Sequence, residues 1–140
     1  MREILFRAKE SISTDWIYGV PWKAINGANL WYVLGEIKVG EDSILENVRV
    51  NQTTVGQYTG LTDKTGVKIF EGDIVNVQYI SNGEQMQEHS VVCWNECDAS
   101  FSPWSWAYQC DGCDCFCEIF DVEVIGNIHD NPDLICAEVD

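Results

Sequence analysis

Apolar residues recur at every second position in two stretches of the chain, Trp16, Tyr18 and Val20 in one and Val75, Val77 and Tyr79 in the other. That is the period of half-buried β-strands. Turn chemistry punctuates the sequence between such runs. Asn26-Gly27 separates Val20–Ile25 from Leu30–Leu34, and Ser81-Asn82-Gly83 separates Ile74–Ile80 from the stretch ending Val91-Val92-Cys93-Trp94. Both are Asn-Gly pairs, which supply the positive φ of a tight hairpin. Asp63-Lys64-Thr65-Gly66 reads as a third turn, joining Tyr58–Leu61 to Val67–Phe70.

Helical periodicity is nearly absent. The one good helix start lies near the C-terminus, where Asn131 can cap, Pro132 takes the first helical position and Asp133 complements the dipole. Short strands at fairly regular spacing, with at most one or two helical turns, predict a mainly β fold of the barrel or sandwich kind. No linker, repeat or low-complexity tract interrupts residues 1–140, so a single domain is expected.

Composition changes this picture little. The chain is 46% hydrophobic and 22% charged, with six Trp, five Tyr and five Phe, too apolar and aromatic for a disordered segment. No run approaches the roughly 20 apolar residues of a membrane helix. The start, Met1 to Glu10, mixes Arg2, Glu3, Arg7 and Lys9 among its apolar residues, unlike an export signal. The expectation is a cytoplasmic protein, with no membrane partner and with its seven cysteines reduced.

Charge changes it more. All eight basic residues lie at or before Lys68, where eight acids balance them, and the other fifteen of the 23 acids follow uncompensated. Such a field repels phosphates and attracts cations or a basic protein face. Direct nucleic-acid binding is therefore not expected, and a protein partner with a basic surface is.

Three blocks carry a family resemblance. They are Phe6-Arg7-Ala8 with Trp16-Ile17-Tyr18-Gly19; Thr54-Val55-Gly56-Gln57-Tyr58-Thr59-Gly60-Leu61-Thr62-Asp63-Lys64-Thr65-Gly66 running into Ile69-Phe70-Glu71-Gly72-Asp73-Ile74-Val75; and Val124-Ile125-Gly126-Asn127-Ile128-His129-Asp130-Asn131-Pro132-Asp133-Leu134. In this order they resemble the YopX-like family of phage and prophage proteins. The resemblance implies a compact, mainly β fold containing a small antiparallel SH3-like barrel with hairpin extensions, a place among phage accessory proteins, and no established catalytic activity. The same residues also have a plain folding role, since Gly60, Gly66 and Gly72 fall where turns need them. His129-Asp130-Asn131 is explained by turn and cap roles without catalysis.

Residues from about 94 to 120 depart from the family pattern as a Cys- and aromatic-rich insertion. Cys97 and Cys110-Asp111-Gly112-Cys113, with Cys115, could supply four thiolates to a tetrahedral zinc, Cys93 or Cys117 serving as substitutes. The alternative is that these are small core thiols, because reduced cysteine is among the most buried residue types. A nucleophilic cysteine is disfavoured, since nothing cationic accompanies them to lower a thiol pKa. No catalytic constellation can be placed, and no catalytic residue is assigned.

The run Phe101-Ser102-Pro103-Trp104-Ser105-Trp106-Ala107-Tyr108 either closes a β core or forms a protein-binding patch. On the second reading Trp104, Trp106 and Tyr108 are anchors, with Asp111, Asp114 and Glu118 as an acidic rim. The resulting expectation is a non-enzymatic module that binds or modulates a host or phage protein through its acidic C-terminal half. Alternatives are an inhibitor of a host defence or DNA-binding protein that imitates nucleic acid, a zinc-stapled structural or assembly module, and an undetected hydrolase. Self-association is left open.

Overall fold

The computed structural model describes residues 3–25, 29–96, 99–103 and 117–136. The described chain is mainly antiparallel β, with one 3-10 turn (Gln52–Thr54) and one helical turn. It divides into two compact units, Met1–Tyr58 and Thr59–Asp140.

The first unit is a meander of β1 (Phe6–Lys9), β2 (Trp16–Lys23), β3 (Trp31–Val39) and β4 (Asp42–Val50), in the order β4-β3-β2-β1. β2 and β3 do form a hairpin around the Asn26-Gly27 signal, but with Lys23 opposite Trp31, whereas a two-residue Asn26-Gly27 turn would set Lys23 opposite Leu30; the tip itself lies outside the described residues. β5 (Gly56–Thr62) begins in this unit, where Gln57 pairs with Phe6, and runs on into the second. Opposed residues of an antiparallel pair share a face. Ala8 with Ile17 and Val33 with Val48 therefore project together, and with Val50 they form the first core, onto which Trp31, Ile37 and Val55 pack.

The alternation at Trp16, Tyr18 and Val20 marks β2 correctly, but it is Ile17 that enters this core, while Tyr18 and Val20 face solvent. A close approach explains it. A Cβ built on Gly35 would lie 2.7 Å from Ile17 Cγ1, so the absence of a side chain on β3 makes the space that Ile17 fills.

The second unit holds the end of β5, β6 (Lys68–Phe70), β7 (Asp73–Ser81), β8 (Glu84–Val91), β9 (Cys93–Asn95), β10 (Ser100–Ser102), β11 (Cys117–Asn127) and the helical turn α1 (Asp133–Cys136). β11, β7 and β8 form one sheet in that order, and β9 with β10 a second. Val75 and Val77 face the core opposite Val124 and Val122, and with Ile69 and Val92 they form its buried centre.

The Ser81-Asn82-Gly83 prediction holds: Ser81 pairs with Glu84, and Asn82 and Gly83 have φ of 52° and 82°. Two positive φ values in a two-residue loop define the type I′ turn whose twist matches the strands. Asn131 departs from its expected role. Its side-chain oxygen accepts from the Asn127 amide, back toward β11, and only its backbone carbonyl takes the Leu134 amide.

The closed small barrel expected from the family resemblance is not found among the described residues. Closure requires the first and last strands of a sheet to bond to each other. In the first unit β4 meets the end of β1 only through the single bridge between Glu10 and Val50, and in the second unit the sheet keeps open ends at β8 and β11.

Candidate interaction surface

Alternation along β2, β3 and β4 places a second set of side chains on the face away from the first core. Val20 lies opposite Leu34 and Trp22 opposite Tyr32 on β2 and β3, while Leu34 pairs with Asn47 and Tyr32 with Arg49 on β4. This face is open: Tyr18 is 47% exposed, Val20 57%, Trp22 42%, Leu34 40% and, at the β4 edge, Leu45 73%. Single exposed apolar residues are ordinary, but a contiguous set over three strands is the kind of surface on which interaction sites are built.

The aromatic part of the face is fixed in place. Trp22 and Tyr32 stack with ring centroids 4.7 Å apart and planes at 17°. The Trp22 Nε1–H donates to Asn47 Oδ1 at 2.9 Å, reaching across β3 to β4. Beyond Tyr18 the same face carries Trp16, with the Arg7 guanidinium 4.4 Å and the Lys9 ammonium 5.4 Å from its ring centroid. Such contacts satisfy the cations on a π face. Preformed Trp and Tyr side chains lose little entropy on binding, which is why they recur as interface anchors, whereas Arg7 is buried and supports Trp16 from within.

In the second unit Asp63, Lys64, Asp121 and Glu123 are committed to the fold. The buried Asp63 accepts from the Thr65 and Val67 amides and the Thr65 hydroxyl at Oδ1, and from the Val124 amide at Oδ2, at 2.8–3.0 Å. Burial pushes its carboxyl pKa up, but the hydrogen bonds from Val124, Thr65 and Val67 outweigh this and hold it at about 2. The carboxylate thus ties the 63–67 turn to β11. Its neighbour Lys64 pairs with Asp121 at 3.3 Å and Glu123 at 3.4 Å, which raises the lysine pKa.

A register shift between Ile119 and Asp121 leaves Phe120 without a partner on β7, and its ring is half exposed. Bulges re-aim side chains in this way. Phe120 lines two shallow clefts: one of about 290 Å³ beside Leu61 and Lys64, and one of about 230 Å³ beside Met86 and Gln87.

The model of the YopX protein family matches residues 5–136. The chain belongs to the YopX family. Among curated proteins none matches it. Among solved structures it is similar to protein EF1440 from Enterococcus faecalis, with a TM-score of 0.55 and 22% identity over 96% of this chain and 99% of that one. That likeness concerns the fold. The blocks that carried the family resemblance now have places: β1 and β2, then the 3-10 turn through β5 and its turn into β6 and β7, then the end of β11 and α1.

The residues predicted from the Cys- and aromatic-rich insertion are only partly described. Cys93 is exposed on β9 opposite Ser102, and Cys117 lies on β11 opposite Ser81. Cys97, Cys110, Cys113 and Cys115 lie outside the described residues, as do Trp104, Trp106, Tyr108, Asp111 and Asp114. Glu118 pairs with Ile80 through the backbone of β11. Among the described residues no three His, Cys, Asp or Glu side chains gather as metal ligands. At the foot of the insertion Trp94 meets Phe101 edge to face, with centroids 4.9 Å apart, and Pro103 is fully buried.

Sequence reasoning missed the β2–β4 face. Its signal was present, because Tyr18, Val20 and Trp22 on one strand and Tyr32 and Leu34 on the next are apolar in phase.

Proposed function

We propose that this YopX-family protein is a non-enzymatic phage or prophage accessory module that binds a host or phage protein through its acidic C-terminal half. One observation carries the reading, the division of charge between the two units. Residues 1–58 hold six bases and seven acids, whereas residues 59–140 hold two bases and sixteen acids. Of those two bases, Lys64 is already neutralised by Asp121 and Glu123. A field of that sign steers and selects a basic surface.

A sharper form of the reading is an inhibitor that imitates nucleic acid and occupies the basic groove of a defence or DNA-binding protein. A zinc-stapled assembly module is the alternative that rests on the cysteine spacing. The test is capture from a bacterial lysate at low and high salt, followed by binding of the purified partner to wild type and to a variant with Asp111, Asp114 and Glu118 changed to amides. The expected partner is basic, leaves as salt rises and binds the amide variant more weakly. Capture indifferent to both salt and the amide substitutions would refute the charge-based reading.

A further inference from the structure

β4 is the end strand of its sheet, and its geometry fits one occupant. The β3–β4 hairpin closes through Gly40 and Glu41 with Val39 opposite Asp42, and Gly40 has a φ of 66°. In a two-residue hairpin the closing pair is hydrogen-bonded. Counting from it, Asp42, Ile44, Glu46, Val48 and Val50 turn their amides and carbonyls toward β3, and Ser43, Leu45, Asn47 and Arg49 turn theirs away. The Ser11 amide donates to the Arg49 carbonyl at 3.0 Å, which confirms the parity and caps the far end. Ser43, Leu45 and Asn47 remain on the side where no further strand follows among the described residues.

This edge has few of the usual defences. It has no proline and no bulge, and Ile44 and Leu45 at its centre are 47% and 73% exposed. Such an edge is a template for strand addition. We propose that β4 pairs antiparallel with β4 of a second copy, forming a two-fold dimer with Leu45 on the axis.

Three features select that partner and register. With Leu45 opposite Leu45 of the second copy, Ser43 falls opposite Asn47 of the second copy. All three outward-facing residues then meet outward-facing residues, giving about six interchain hydrogen bonds. Second, Ile44 lies opposite Glu46 and Asp42 opposite Val48, so no like charges oppose each other. An axis at Glu46 would oppose two glutamates, and one at Ile44 would oppose Asp42 with Glu46; both are unfavourable. Third, the Leu45 register carries Glu41 of the second copy toward Arg49 at both ends; Ser11 and Glu10 already hold the backbone there, so the pairing is through the two exposed side chains alone. The pairing would also join the two Trp22–Tyr32 faces into one continuous sheet surface.

The test uses the full chain. Sedimentation equilibrium should give twice the 15.9 kDa chain mass, and association should tighten as salt screens the charge of -15 on each copy. Leu45→Lys should raise the dissociation constant at least about tenfold, and should leave the melting temperature unmoved at concentrations where the wild type is itself monomeric. Arg49→Glu or Glu41→Arg alone should weaken the dimer, and the two together should restore it. Amide exchange in wild type, which needs no variant to fold, should show concentration-dependent protection at Ser43, Leu45 and Asn47. A monomer at every concentration, a dimer indifferent to Leu45→Lys, or β4 protection that arises only when another protein supplies the strand would each overturn the proposal.

Discussion

Trp22 on β2 and Asn47 on β4 are joined over the intervening strand by a 2.9 Å hydrogen bond from the indole nitrogen to the amide oxygen. The bond holds a large, half-exposed ring against Tyr32 instead of leaving it to rotate. Asn47→Leu removes the acceptor at an exposed site. The expected cost is about 1 kcal/mol of stability, with a shift in indole emission as the ring loses its partner. An unchanged spectrum and unchanged stability would mean that stacking alone positions Trp22.

Asp63 makes stability depend on pH in one direction. Its folded pKa of about 2 lies below the ordinary 3.8, so its stabilisation is fully present above pH 4 and is lost as pH falls through 3.8 toward 2. The shift corresponds to about 2 kcal/mol. Thermal melts of wild type and Asp63→Asn should differ most near neutral pH and converge near pH 2. A gap independent of pH would show that the carboxylate charge is immaterial to the turn.

The two hydrophobic centres test whether the chain unfolds as the single domain expected from its sequence. Ile17 in the first and Ile69 in the second are both buried, and truncating either to Ala should cost about 2–5 kcal/mol. Because β5 runs unbroken from one unit into the next, each variant is expected to lower one common transition. Calorimetry showing two transitions, each moved by only one of the variants, would define two domains.

The cysteine spacing predicts near-stoichiometric zinc in protein purified without chelator, held by Cys97, Cys110, Cys113 and Cys115, with Cys93 or Cys117 as substitutes. Native mass spectrometry reads this directly, and the bare chain mass would end the idea. Cys93 is exposed, so Cys93→Ser should leave stability unchanged unless the thiol is a ligand.

Trp104 and Trp106 separate core from anchor. Losing a buried Trp should cost roughly 3–5 kcal/mol, whereas losing an exposed anchor should spare the melting temperature and abolish partner capture. The sequence expectation that at least one is exposed draws on Ser102, Pro103, Ser105 and Ala107 as loop residues, but Ser102 lies on β10 and Pro103 is buried, which leaves only Ser105 and Ala107 to support it. Trp104→Ala and Trp106→Ala, compared by melting and by pull-down, decide it; if both lose stability and neither loses a partner selectively, the run is core.

What the sequence by itself determined was local: the Asn82-Gly83 hairpin, the turn at Asp63, a last helical turn after Pro132, and an antiparallel β chain of YopX type. Each rests on neighbours a few residues apart, whose φ preferences and side-chain hydrogen bonds act whatever else the chain does. Which side of β2 is buried was not legible, because Tyr18, Val20 and Trp22 are at least as apolar as Ile17, Gly19 and Pro21. Tertiary structure decided it where Gly35, sixteen positions beyond its cross-strand partner Gly19, left room for Ile17 and sent the aromatic set outward. Asp63 shows the same division: its bonds to Thr65 and Val67 belong to the turn, but the amide of Val124 reaches its other oxygen only once β11 has folded alongside, 61 residues later in the chain.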